Sequence, residues 1–165
     1  MRKIIVRAVL VVVILLAGFI GVFTYQHNKE REDFYAFREY LDEEYFPVLH
    51  KFNDHVNSAV ENTTYLEYSS WQVEKGFEEN LDIQSELKAA REKIVNRDVK
   101  EEDTQDLKKS VLNTITDLEE TLDYMYNGLN YSQDFESFDY MFSEEMKDVN
   151  DRIDEMNEIL GIYYE

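Results

Sequence analysis

An uncharged run near the start of the chain constrains its fold more than any other feature. After the basic residues Arg2, Lys3 and Arg7, residues 8–25 contain no charged side chain. As an α-helix that rises about 1.5 Å per residue, this run would span roughly 27 Å, close to the thickness of a bilayer's hydrocarbon layer. Aromatic residues at its far end are typical of the membrane interface. The sequence therefore predicts a transmembrane helix, with residues 4–25 in contact with the lipid bilayer.

A cleaved secretory signal peptide is the competing interpretation of this run. Cleavage needs small residues in an A-x-A arrangement after a short apolar core. The small residues here are Ala17, Gly18 and Gly21, and they do not have that spacing. Because the chain contains no cysteine, it also lacks an acceptor for a lipoprotein anchor. The sequence therefore predicts an uncleaved signal anchor.

The distribution of basic residues predicts the side of the membrane on which the rest of the chain lies. Positive charge next to a membrane segment tends to stay in the cytoplasm, and acidic residues count for little in this rule. The amino-terminal stub carries a compact basic cluster, whereas Lys29, Arg31 and Arg38 are mixed with acidic residues. We therefore expect residues 1–25 to form a cytoplasmic stub and transmembrane anchor. Residues 26–165 are expected to form an acidic domain outside the cell membrane.

Beyond residue 26, apolar residues recur every three or four positions, which is the pattern of amphipathic helices. The first stripe runs from Phe34 to Ala59 and passes Pro47 without losing register, so we expect a kink there. Three further stripes follow along the chain. They comprise Val73, Phe77, Leu81, Gln84, Leu87 and Ile94; then Leu107, Val111, Ile115, Leu118, Leu122, Met125 and Leu129; then Phe135, Phe138, Phe142, Met146, Val149, Ile153, Met156 and Leu160.

Turn-forming residues separate these stripes. Residues 62–64 and 96–98 are expected connections, Asn127-Gly128 is an expected left-handed helix end, and Ser132 is an expected N-cap. Four amphipathic helices with short connections pack most simply as an antiparallel up-down-up-down bundle. The sequence therefore predicts an all-α protein, with a single transmembrane helix followed by a four-helix bundle. An elongated coiled coil of several copies is the alternative, but the mixed spacings do not specify a long supercoil.

Composition and motifs exclude several classes of function. The chain has 36 acidic and 17 basic residues, so we expect no nucleic-acid partner, because phosphate contacts need clustered Lys and Arg. Without cysteine there is no thiolate metal site and no cysteine nucleophile. No histidine has the Glu-x-x-His spacing of di-iron bundles, and no calcium-binding, phosphate-binding or H-E-x-x-H motif occurs. The sequence predicts no enzyme, no catalytic residue, no cofactor and no metal site.

Aromatic residues are concentrated toward the end of the predicted bundle that is remote from the membrane. None occurs from Glu78 to Asp123. Tyr and Trp are enriched at binding hot spots because they give a large contact area at low entropy cost. Four of them fall off the predicted buried stripes or at their borders, and these are the candidate partner-binding residues. A core widened at this end is the alternative. The four candidates are Trp71, Tyr126, Tyr131 and Tyr140.

Basic residues are concentrated at the opposite end. The up-down-up-down order places the turn near residues 96–104 next to the membrane, where anionic headgroups attract basic side chains by about 1 kcal/mol each. The candidate membrane-proximal patch consists of Lys88, Arg91, Lys93, Arg97 and Lys100. Alternatively, acidic residues of the fourth helix neutralise this patch within the molecule. Those acidic residues are Asp148, Asp151, Asp154, Glu155 and Glu158.

Together these features predict a non-enzymatic, single-pass membrane protein. Its bundle is expected to be an interaction module for an unidentified protein partner, as an accessory subunit of a membrane or cell-envelope assembly. Two alternatives stay open. The first is self-assembly into a homo-oligomer as a membrane-tethered coiled-coil or structural protein, and the second is sensing of a small ligand or cation. The layout of anchor and helical bundle resembles the ligand-sensing domains of bacterial chemoreceptors, a likeness of architecture that carries over no residues.

Overall fold

The computed structural model describes residues 27–62, 64–131 and 134–161, and for residues 129–131 it describes the backbone alone. This part of the chain is helical apart from short connections and contains no strand. It confirms the predicted all-α class. In chain order its elements are α1 (residues 27–44), α2 (Phe46–Val60), α3 (Tyr65–Trp71), a π turn (Gln72–Gly76), α4 (Phe77–Asn96), α5 (Glu102–Tyr131) and α6 (Phe135–Gly161).

The predicted membrane anchor, residues 4–25, lies outside the residues that the structure describes. The same holds for the stub before it. Within the described ranges, every helix is too short or too polar to cross a bilayer. The membrane anchor and the orientation of the domain therefore stay predictions from the sequence.

α1 and α2 form one bent segment with a continuous buried stripe. Pro47 has no N–H to donate to the carbonyl of Glu43, and its ring crowds that carbonyl, so a regular α-helix cannot continue through it. The α-helix is interrupted at Tyr45 and begins again at Phe46. The interruption lasts one residue and preserves the apolar register, as the sequence predicts. The buried residues of the stripe are Phe34, Phe37, Leu41, Tyr45, Val48, Phe52, Val56 and Ala59.

The segment formed by α3, the π turn and α4 runs antiparallel to α1 and α2. At one end, the Asp33 carboxylate of α1 accepts hydrogen bonds from the backbone N–H groups of Lys100 and Glu101, at 3.1 and 3.2 Å. At the other end, Nδ1 of His55 in α2 lies 3.1 Å from a carboxylate oxygen of Glu79, near the start of α4. We call the end near Asp33 the near end, because the predicted anchor precedes it, and the opposite end the far end.

α5 continues the antiparallel order. Near its start, the Lys108 ammonium donates to the carbonyl of Val95 at the end of α4, at 2.9 Å. Toward its end, the carbonyl of Leu122 accepts a hydrogen bond from the Asn80 side chain near the start of α4, at 2.8 Å. The third stripe is buried as predicted from Leu107 to Met125. Its last predicted member, Leu129, has its side chain outside the described part.

α6 packs against α5, again antiparallel. The Arg152 guanidinium donates to Asp117 at 3.1 Å, and the Tyr124 hydroxyl donates to the carbonyl of Phe138 at 3.3 Å. The fourth stripe is buried or half-buried throughout, as predicted. The described residues therefore form a helical bundle whose four long segments alternate in direction.

One prediction about the α5–α6 connection needs correction. Asn127-Gly128 does not end α5, which continues to Tyr131, and no glycine among the described residues has a positive φ. Gly128 instead allows α6 to approach closely: a Cβ there would lie 2.8 Å from a ring carbon of Phe138. Ser132, the predicted N-cap of the last helix, lies outside the described residues. The Asp134 carboxylate caps α6, accepting from the backbone N–H of Ser137 at 2.7 Å.

The second stripe is the largest correction. Val73 and Leu81 are 74% and 55% exposed, although their spacing predicted burial, and Phe77 is half-buried. The predictions for Leu87 and Ile94 are confirmed, since both are fully buried. The buried face of this segment consists of Tyr68, Trp71, Gln72, Gly76, Asn80, Ile83, Leu87, Ala90 and Ile94.

The π turn explains this buried face. Tyr68 and Asn80 are twelve residues apart, which would place them about 120° from each other around a regular α-helix. In the π turn, the backbone N–H of Phe77 bonds to the carbonyl of Gln72, five residues back instead of four. The additional residue in this turn brings Tyr68 and Asn80 onto one face. A constant 3.6 residues per turn would place Val73 within about 40° of Leu87, and the additional residue moves it off that face. Leu81 follows the π turn and lies about 120° from Leu87 around the regular helix α4, so the predicted stripe departs from the buried face there for a different reason.

Gly128 provides a test of the α5–α6 contact. Alanine normally stabilises a helix relative to glycine by about 1 kcal/mol. We nevertheless expect Gly128→Ala to lower the free energy of unfolding by about 1 to 2 kcal/mol, because the new Cβ overpacks against the fully buried Phe138 ring. Chemical denaturation of the full chain measures the change. Gly161→Ala is the control, since among the described residues no atom beyond its chain neighbours and its own helical backbone lies within 4 Å of the corresponding Cβ position. An equal loss in both variants would contradict the contact.

Candidate functional site

Three buried polar side chains fix the rotation of the α3–α4 segment against α5. The Tyr68 hydroxyl and the Gln72 side-chain amide both donate to the carbonyl of Met125, at 3.1 and 2.7 Å. The Asn80 amide donates to the carbonyl of Leu122 at 2.8 Å. Each buried donor would cost about 1 to 3 kcal/mol if it were left unpaired. Any other rotation of this segment would lose these bonds, so its polar side is held inward.

The same rotation leaves an apolar strip exposed on the outer side of α4 and α5. Val73, Phe77 and Leu81 follow each other at intervals of four residues, so they are neighbours along the helix surface. Tyr126 of α5 extends the strip sideways: its ring centroid lies 4.9 Å from that of Phe77, and 37% of the residue is exposed. We call these four residues the rim stripe. It is a contiguous apolar surface rather than a single exposed side chain.

The rim stripe lies in strongly acidic surroundings. Between Glu61 and Glu86 the only basic residue is Lys75, and from Ser110 to Met146 the chain contains no Lys, Arg or His. Exposed carboxylates flank the stripe on both helices. They belong to Glu74 and Glu78 on the α4 side and to Asp123 on α5.

The structure separates the four predicted partner-binding residues. Trp71 is only 7% exposed and donates from its indole nitrogen to the Ser58 hydroxyl at 3.0 Å, which fits the alternative in which it widens the core. Tyr126 belongs to the rim stripe. Tyr140 is 67% exposed but lies on α6, which packs on the opposite side of α5. The side chain of Tyr131 lies outside the described residues. The structure therefore brings Tyr126 into the apolar strip and places Trp71 in the core.

Sequence reasoning missed Val73, Phe77 and Leu81 as surface residues. The signal that could have found them is the row of residues at 68, 72, 76 and 80, spaced four apart and containing an amide side chain at two positions. A buried amide needs a hydrogen-bond partner, so such residues are normally assigned to the surface. The carbonyls of α5 that satisfy them cannot be identified without the fold.

The predicted membrane-proximal basic patch is largely engaged within the molecule. Arg91 donates to the Thr116 hydroxyl at 3.0 Å and to the Glu119 carboxylate at 2.7 Å. Lys93 pairs with Glu44 of α1, and this contact raises the pKa of the lysine.

The remaining members of this patch are spread around the turn after α4. The Arg97 guanidinium lies 5.0 Å from the centroid of the Tyr40 ring, a cation–π distance. Lys88 and Lys100 are exposed. The acidic partners seen for the patch come from α1 and α5, so the prediction that α6 supplies them is wrong for Arg91 and Lys93. Of the α6 acids, Glu155 pairs with Arg152 of its own helix.

A groove of about 370 Å³ lies between α2 and α4, beside the π turn. Its deepest polar group is His55, whose side chain is 1% exposed. Nδ1 donates to the Glu79 carboxylate, which leaves Nε2 as a buried acceptor with no partner among the described residues. Burial lowers the pKa of His55 below its ordinary value of 6.5, while the Glu79 contact opposes the shift. The imidazole is therefore held neutral at pH 7.

A second groove, of about 360 Å³, lies between α5 and α6 and is lined mainly by carboxylates. Burial and the neighbouring carboxylates of Glu120, Asp148 and Asp117 raise the pKa of Glu145.

The described residues contain no group of three or more side chains arranged to hold a metal ion. No family model, curated protein or solved structure matches this chain.

His55 gives the fold a specific dependence on pH. Because its pKa is lowered on folding, the folded state binds fewer protons than the unfolded state as the pH falls below 6.5, and stability is lost in that range. A single such group contributes at most about 1.4 kcal/mol per pH unit. We expect His55→Phe to reduce the loss of unfolding free energy between pH 7.5 and 5, measured by urea denaturation against the parent protein. An unchanged pH slope in the variant would show that His55 does not titrate on unfolding.

Proposed function

We propose that this chain is a membrane-anchored, non-enzymatic interaction module, serving as an accessory subunit of a membrane or cell-envelope assembly. In this proposal residues 4–25 contact the lipid bilayer, and the acidic bundle of residues 26–165 lies outside the cytoplasmic membrane. The rim stripe is the observation that carries the proposal. Val73, Leu81 and Tyr126 are exposed and Phe77 is half-buried, outside the buried core of the bundle.

The arrangement of the rim stripe supports an interaction role. Single exposed apolar residues are common on protein surfaces and need no explanation. Contiguous apolar strips rimmed by polar residues mark interaction sites, and aromatic residues dominate binding hot spots. The Phe77–Tyr126 ring contact forms the centre of such a strip, and Val73 and Leu81 continue it on either side.

The position of the rim stripe suits a module that stands on a membrane. The predicted anchor precedes α1 at the near end, where α4 also ends, at Asn96. Leu81 lies fifteen residues before that end, and Val73 lies twenty-three. At a rise of about 1.5 Å per residue, the stripe is about 22 to 35 Å from the near end of α4. A partner in the same membrane or envelope could reach it without competing with lipid.

The absence of native cysteine makes the side of the membrane directly measurable. Ser143 is exposed on α6, so Ser143→Cys in the full chain places a single accessible thiol on the bundle. We expect a membrane-impermeant thiol reagent to label this variant in intact cells, before lysis. Leu118→Cys, at a fully buried position, is the matched control and should react only after denaturation.

Labelling of the Ser143→Cys variant only after lysis would place the bundle in the cytoplasm and refute the proposed orientation. Recovery of the full chain in the soluble fraction of lysed cells, without detergent, would refute the proposed anchor. Both measurements concern the anchor and the side of the membrane, and neither depends on the rim stripe.

A further inference from the structure

We infer that the rim stripe binds the apolar face of a basic amphipathic helix of another protein. This inference rests on the proposed function, since it names the chemistry of the partner that the interaction module would bind. The partner's helix would lie along α4, with its apolar side chains on the stripe and its Lys and Arg side chains against the flanking carboxylates.

The dimensions of the rim stripe match one face of a helix. Val73 and Leu81 are eight residues apart, or about 12 Å along the axis. A helical ligand presents anchoring side chains at positions i, i+3 or i+4, and i+7, which cover nearly the same length. The tilted Phe77 and Tyr126 rings, with an interplanar angle of 58°, supply a broad apolar surface at the middle of this length. Three anchoring side chains of one ligand helix could therefore contact the stripe at the same time.

The charge around the stripe selects a basic partner. Glu74, Glu78 and Asp123 flank it, and the α5–α6 region behind it contains no basic residue from Ser110 to Met146. The one basic residue near this part of α4, Lys75, contributes instead to the groove between α2 and α4. Complementary charge speeds encounter and excludes partners of the wrong sign. An acidic ligand or an anionic lipid surface would be repelled here.

A second copy of the chain does not fit the same surface. Copies anchored in one membrane are related by an axis along the membrane normal, so their α4 helices would run parallel. Glu78 and Asp123 of one copy would then face the same residues of the other, and like charges in contact are unfavourable.

The acidic surroundings of the stripe therefore favour a different protein with a basic helix as its occupant.

Direct binding tests this inference with the full chain in nanodiscs of zwitterionic phosphatidylcholine. The probe is a fluorescent 18-residue peptide of Leu, Ala and Lys whose order gives an amphipathic helix. A peptide of the same composition in scrambled order serves as its control. Fluorescence anisotropy measures the Kd of each peptide, and empty nanodiscs give the contribution of the lipid. We expect the amphipathic peptide to bind at least about tenfold more tightly than the scrambled one.

Paired variants then locate the binding surface. Val73→Ser combined with Leu81→Ser removes the ends of the rim stripe without changing charge, and we expect it to raise the Kd about tenfold. Tyr140→Ser combined with Met141→Ser removes exposed apolar side chains on α6 and should leave the Kd within about twofold. Because all four residues are exposed, both variants should retain the parent's denaturation midpoint, which confirms that they are folded.

Several outcomes would overturn the inference. The amphipathic and scrambled peptides could bind equally, or both double variants could lose the same affinity for the amphipathic peptide. A Leu–Glu peptide could bind more tightly than the Leu–Ala–Lys peptide. Sedimentation could also show that the parent protein dimerises through the stripe. Failure of peptide binding together with labelling of the Ser143→Cys variant in intact cells would refute the partner's chemistry alone. Failure of that labelling would refute the proposed orientation whatever the peptide does.

Discussion

The surface of this bundle depends on three hydrogen bonds that are buried inside it. Tyr68, Gln72 and Asn80 donate from one face of the α3–α4 segment to the carbonyls of Met125 and Leu122. Both carbonyls belong to α5, and the carbonyl of Met125 accepts from Tyr68 and Gln72 together. Because the donors are buried and costly to leave unpaired, they hold one rotation of the segment. As a result, the apolar strip on the opposite side of the segment faces outward.

The π turn makes this arrangement compatible with a helical backbone. It places the three donors on one face of the segment. At the same turn, the Trp71 ring lies close over Gly76. A Cβ at Gly76 would lie 2.8 Å from that ring, so a residue without a side chain is needed there. π turns are rare and are frequently found at functional sites. Here the turn lies between the His55 groove on one side of the segment and the rim stripe on the other.

Much of the fold follows from the sequence, and the exceptions have physical causes. Regular periodicity predicts the buried stripes of α1–α2, α5 and α6 because those segments keep their register, even across Pro47. It fails in the α3–α4 segment for two reasons. The additional residue of the π turn moves Val73 off the buried face, and the predicted step from Leu81 to Leu87 is about 120° around a regular helix. Asn127-Gly128 has the residues of a helix end, but Gly128 serves close packing instead. The stripe itself was visible as apolar residues at 73, 77 and 81, and only the interior bonds reveal that this face points outward.

The rotation of the α3–α4 segment, which exposes Leu81 and buries Ile83, can be measured directly in a chain without native cysteine. Leu81→Cys and Ile83→Cys lie two residues apart at positions that are 55% and 4% exposed. In the native full chain, the account predicts that a thiol reagent modifies the Leu81→Cys variant at about the unfolded rate and the Ile83→Cys variant at least about a hundredfold more slowly. Protection of the Leu81→Cys thiol, or equal rates at the two positions, would contradict the rotation of the segment and with it the rim stripe.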